Sequence, residues 1–159
     1  MSSYQLSVGS GDTLTSSDKR TPIYASFSSI DDVLAVLWET GHVELWNLHT
    51  RIEPSRGKVM APALMWNGSI ESVPLGRQIV VTTGSTSAPE GLLARLTILG
   101  CDRKGNDIVT VVELGNDSST QSHDTKLSHR NGRLVASDET AIWQGPDGQM
   151  FEGEELHNH

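Results

Sequence analysis

The stretch Val33–Asn47, "VLAVLWETGHVELWN", limits what this chain can fold into more than any other. Six apolar residues run unbroken up to Glu39-Thr40-Gly41, and a second apolar-alternating run follows. In a strand, successive side chains point to opposite faces, so Val33, Ala35 and Leu37 share one face and Leu34, Val36 and Trp38 the other. Both faces are apolar, so this strand must be covered on both sides. Glycine reaches positive φ without a Cβ clash, so Thr40-Gly41 closes a hairpin. After it, Val43 and Leu45 alternate with His42 and Glu44, the pattern of a half-buried strand nearer an edge.

A doubly covered strand beside a half-covered one fits a small twisted sheet stacked between similar sheets, as the blades of a β-propeller stack. The rest of the chain continues the pattern. Strands are expected at 23–28, 63–67, 77–83, 92–99, 107–114, 133–137, 140–145 and 148–152. Pro62, Pro74-Leu75-Gly76, "GSTSAPEG" (84–91) and Arg103-Lys104-Gly105-Asn106 punctuate them. The polar stretch "GNDSSTQSHDTK" (115–126) is expected to be a long exposed loop. No segment sustains a helical period, so the class is all-β.

An internal echo sets the scale. "AVLWETGHVELW" begins at 35 and "AIWQGPDGQMFE" at 141. One further unit between them gives about 53 residues per unit, above the roughly 40–45 of a propeller blade with short loops. The expectation is a partial, WD40-like propeller of about two and a half antiparallel blades over 22–153. A flexible segment, 1–21, precedes it and a short tail, 154–159, follows it.

Composition narrows the function. The net charge is −8 and Lys and Arg form no cluster, which argues against a nucleic-acid-binding face. The single cysteine, Cys101, excludes an internal disulfide framework and suits a reducing compartment. The N-terminus has no basic segment followed by an apolar core, so no signal peptide is expected, and no apolar run is long enough for a membrane helix.

Candidate sites are few. His157-Asn158-His159 is read as a tail, and His123 and His129, flanking Asp124, as solvated loop residues; no acidic or thiol group joins them in a zinc set. Asp147-Gly148 is read as a hairpin turn, and Asp31-Asp32 as a turn before a strand. No phosphate loop or nucleophile elbow occurs, so the chain is expected to be neither an enzyme nor a holder of a metal or cofactor. Trp38, Trp66 and Trp143 are expected in the core. Trp46, before Asn47 where a WD repeat carries Trp-Asp, has two readings: packed between strands, or exposed as an aromatic that docks a partner. It is the one candidate interaction residue.

Four stretches, in order, carry a resemblance to a known family. They are "YASFSSIDDVLAVLWETGHVELWNL" (24–48), "ALMWNGSIESVPLGRQIVVTTGST" (63–86), "GLLARLTIL" (91–99) and "NGRLVASDETAIWQGPDGQMFEG" (131–153). Together they are similar to part of the second WD-type propeller in the largest subunits of Elongator, the Elongator complex protein 1 family, in its fungal forms. The resemblance implies a non-catalytic scaffold segment of a complex that modifies tRNA wobble uridine in the cytoplasm, with the nucleus as a second location. It implies the catalytic Elongator subunit, a separate polypeptide, as chief partner. Members of that family are much longer, so the chain is expected to be a fragment or truncated product. The alternative is a blade fragment of an unrelated WD-repeat adaptor.

Overall fold

The structure is a computed structural model that describes residues 21–28, 32–48, 52–53, 58–59, 63–70, 75–82, 92–115, 117, 119–136 and 141–151. The expected N-terminal segment up to residue 20, the loop 84–91 and the C-terminal tail with its His-Asn-His lie outside these residues.

The described chain is all-β and antiparallel. It begins with β1 (Pro22–Phe27), β2 (Val33–Trp38) and β3 (His42–Asn47), followed by a small hairpin of β4 (Ile52–Glu53) and β5 (Lys58–Val59) and then β6 (Ala63–Ser69). The first sheet runs β1-β2-β3-β6. The second is an unbroken meander of β7 (Gln78–Thr82), β8 (Leu92–Cys101), β9 (Asp107–Gly115) and β10 (Thr120–Lys126). The third consists of β11 (Arg133–Ala136), β12 (Ala141–Gln144) and β13 (Met150–Phe151).

The sheets stack because their strands alternate apolar side chains between two faces. Ala35, Leu37, Val43 and Leu45 of the first sheet meet Ile79, Leu96, Ile98, Val112 and Leu114 of the second. The opposite face of the second sheet supplies Val80, Leu99 and Val109 to a second core with Leu134, Ala141 and Trp143. β7 therefore feeds both cores, and it lies against β1 and β2 on one side and β11 on the other. Every residue of β2 is buried, as its two apolar faces require.

Turn chemistry sets the hairpins. Gly41 closes β2–β3 at φ 80°, within a single 3₁₀ turn, Glu39–Gly41. Two other hairpins share one geometry. Asp102 N–H donates to Asn106 O at 2.9 Å and Gly105 N–H to Asp102 O at 3.0 Å, with Gly105 at φ 87°. Gly145 N–H donates to Gln149 O at 2.8 Å and Gly148 N–H to Gly145 O at 3.2 Å, with Gly148 at φ 88°. Both are tight turns followed by a left-handed glycine, the usual form of a slightly longer hairpin loop. The Asp102 carboxylate also accepts from Lys104 N–H and Asn106 N–H at 2.8 and 3.0 Å, and so locks the first of them. The two echoing stretches are the second-to-third-strand hairpins of the first and third sheets.

Three expectations are corrected. The polar stretch 115–126 is not a long loop: Thr120–Lys126 pairs with β9 from Leu114 back to Ile108. As the outer strand of its sheet β10 needs apolar side chains only where it meets the core, and Thr125 is its one buried residue. The loop is confined to the turn after Gly115, where the Ser119 hydroxyl and N–H hold the exposed Asp117 carboxyl below the usual carboxylate range. Trp66 is half-buried, packed on the edge of the first core, whereas Trp143 is fully buried. His129 is not a solvated loop residue: its ring stacks on Trp143 and Phe151 with centroids 5.6 and 5.8 Å away.

Trp38 is buried as expected, at 8% exposure, but its indole N–H has no acceptor among the described residues. An unmet buried donor costs about 1–3 kcal/mol, so Trp38→Phe sheds that penalty along with part of the ring. We expect a net loss under about 1 kcal/mol in urea unfolding; a loss above about 2 kcal/mol would show that the indole N–H has an acceptor after all.

Candidate functional site

The chemically densest place in the described chain lies between the second and third sheets. Asp107 opens β9 directly after the Gly105 turn and is 0% exposed. Its Oδ1 accepts from Arg77 Nη2 at 2.9 Å. Its Oδ2 accepts from Gly132 N–H at 2.8 Å and from Trp143 Nε1–H at 2.9 Å. Its own N–H donates to His129 O, and its carbonyl accepts from Leu127 N–H, each at 2.8 Å. Arg77 Nη2 donates again to Gly132 O at 2.9 Å. One carboxylate thus joins β9, the residue preceding β7, the segment before β11 and the middle of β12.

A second tie lies beside it. Gln78 Nε2 donates to Leu134 O, and Leu134 N–H donates to Gln78 Oε1, both at 2.7 Å. The side-chain amide pairs with the β11 backbone as another strand would, and so satisfies part of an otherwise open edge.

This geometry holds the sheets together. Each oxygen of Asp107 is already occupied by a donor, and the group is sealed from solvent, so it offers no proton acceptor to a substrate. In the sequence Asp107 reads only as the start of a strand. The signal that could have found it is an acidic residue at the head of a strand that is otherwise apolar save for Thr110 and Glu113, because a buried carboxylate needs donors.

The residues singled out by sequence do not converge. Trp46 is 3% exposed, and its indole N–H donates to Glu44 Oε2 at 2.9 Å. It packs with Leu34, Val36 and Trp38 on the face of the first sheet turned away from the second, so it is not presented as an exposed docking aromatic. His123 lies on β10 and His129 in the aromatic stack, apart from one another. Asp147 sits in the hairpin turn before Gly148. A shallow pocket of about 340 Å³ lies at the end of the second sheet, lined by Leu75, Cys101, Arg103, Ile108 and Lys126 with Asp102 and Asp124. Its acidic groups are engaged, Asp102 by the turn and Asp124 by the Thr110 hydroxyl at 2.8 Å. Among the described residues no cluster of three or more His, Cys, Asp or Glu is placed to hold a metal ion. No described helix is long and apolar enough to cross a membrane.

Comparison with known protein families, with curated proteins and with solved structures yields no match.

Proposed function

We propose that this chain is a non-catalytic scaffold segment built as part of a WD-type β-propeller. The observation that carries this reading is the order of the strands. Three successive antiparallel sheets stack face to face, and the first strands of neighbouring sheets, β1 beside β7 and β7 beside β11, lie together. A propeller places the first strand of each blade innermost in this way. The acidic groups of the pocket at the end of the second sheet are engaged in hydrogen bonds, and the one buried carboxylate among the described residues is consumed in joining sheets.

Within that class we infer a segment of the largest Elongator subunit, acting with the catalytic subunit in tRNA wobble uridine modification. The support is the ordered resemblance of 24–48, 63–86, 91–99 and 131–153. Tagged at its native locus and purified under mild conditions, the polypeptide is expected to bring down the catalytic Elongator subunit in stoichiometric amount. Recovery of a different assembly without that subunit would overturn the Elongator reading in favour of an unrelated WD-repeat adaptor.

A further inference from the structure

The turn between β8 and β9 gathers positive charge that the sequence scatters. Arg103 and Lys104 are exposed on it. Arg130 Nε–H donates to Asn106 Oδ1 at 3.1 Å, which lays a third cation across the same turn. Lys126 stands opposite Ile108 at the start of β9 and is also exposed. Among the described residues none of these cations forms an ion pair with an acid.

They border the pocket of about 340 Å³ at the end of the second sheet, which Arg103 and Lys126 help to line. Its apolar lining is Leu75, Ile108 and Cys101, and Leu75 is 58% exposed. Asp102 and Asp124 line it too, but their carboxylates are taken up by the turn N–H groups and by the Thr110 hydroxyl. They offset part of the charge, and the local excess stays positive on a chain of net charge −8. The second sheet already has a sheet against each face, so blades added beyond the first or the third would leave this end open.

We propose that this end of the second sheet binds an acidic peptide segment of a partner protein. One aliphatic side chain of the segment sits in the pocket, against Leu75 and Ile108, and carboxylates on either side of it meet Arg103, Lys104, Lys126 and Arg130. The arrangement selects this occupant. Lys104 and Arg130 lie outside the pocket lining, so a small anion in the pocket leaves them unused, whereas an extended segment reaches them. No aromatic ring lines the pocket, and single-stranded nucleic acid is held by stacking its bases on such rings. An apolar pocket takes the anchor, and the cations around it steer the segment in and fix its direction. The proposal does not rest on the Elongator reading.

Fluorescence anisotropy with the 159-residue chain tests it. The probe is a labelled short peptide, a leucine flanked on either side by glutamates. Saturable binding is expected, weakening as salt is raised. Serine in place of the peptide's leucine is expected to weaken binding about tenfold, and an oligouridylate of matching length is expected to bind more weakly than the leucine peptide. Arg103→Glu with Lys126→Glu, both at exposed positions, is expected to weaken the acidic peptide at least about tenfold while the melting temperature stays unchanged. A peptide with lysines for the glutamates is expected to bind that double variant better than it binds the wild type, a gain that loss of folding could not produce. Four results would each overturn the proposal: no saturable binding of the leucine peptide, equal binding of the serine peptide, tighter binding of the oligouridylate, or charge reversal that leaves both peptides unaffected.

Discussion

Asp107→Ala is expected to destabilise the chain by about 3–5 kcal/mol, chiefly the cost of leaving two buried donors without an acceptor. The substitution strands three donors at once. Trp143 Nε1–H and Gly132 N–H lose their acceptor inside the second core, and each buried unmet donor costs about 1–3 kcal/mol. Arg77 loses its carboxylate but keeps Gly132 O and partial access to water, which limits its share. Asp107→Asn keeps one carbonyl acceptor and is expected to lose about half as much. Urea unfolding followed by tryptophan fluorescence measures both. If Asp107→Ala costs less than about 1 kcal/mol, the carboxylate does not join the sheets.

Gly132→Ala is expected to cost about 3 kcal/mol, the upper end of overpacking penalties. A Cβ at Gly132 would sit 2.2 Å from both Cε2 and Nε1 of Trp143, which is fully buried and bonded to Asp107. The indole cannot retreat, because a Cβ at Gly145 would also meet it, at 2.8 Å, so both glycines form walls of its slot. The clash predicts strong coupling. Trp143→Ala alone is expected to lose about 3–5 kcal/mol, and adding Gly132→Ala to it should cost little more, because the obstructing ring is gone. Additive losses in the double variant would show that Gly132 matters for its backbone and not for the space it leaves.

These two predictions fall on residues whose importance is not visible locally. Gly132 follows Asn131 in what reads as ordinary turn chemistry, and Asn131 does take a left-handed φ of 59°. That Gly132 N–H must reach a carboxylate 25 residues earlier in the chain depends on two sheets meeting. The same holds for His129, whose polar neighbours suggest a solvated loop until Trp143 and Phe151 are brought against it. Trp46 left two readings open because an alternating strand says which residues share a face, not what lies over that face. Burial of the face with Leu34, Val36 and Trp38 decided it.

Taken alone, the amino-acid order determined the elements whose causes are local. An unbroken apolar run required β2 to be covered on both faces, and Gly41, Gly105 and Gly148 marked hairpin turns, because glycine takes positive φ at least cost. The all-β class and nearly every strand followed from period and punctuation. Tertiary structure alone decided β10, the Asp107 tie and the stacking order of the sheets. A polar segment becomes a strand when the open N–H and C=O groups of a neighbour need partners, and β9 supplies that need to Thr120–Lys126. A carboxylate can be buried only where donors converge from distant parts of the chain, and Arg77, Gly132 and Trp143 do so only once the second and third sheets are packed together.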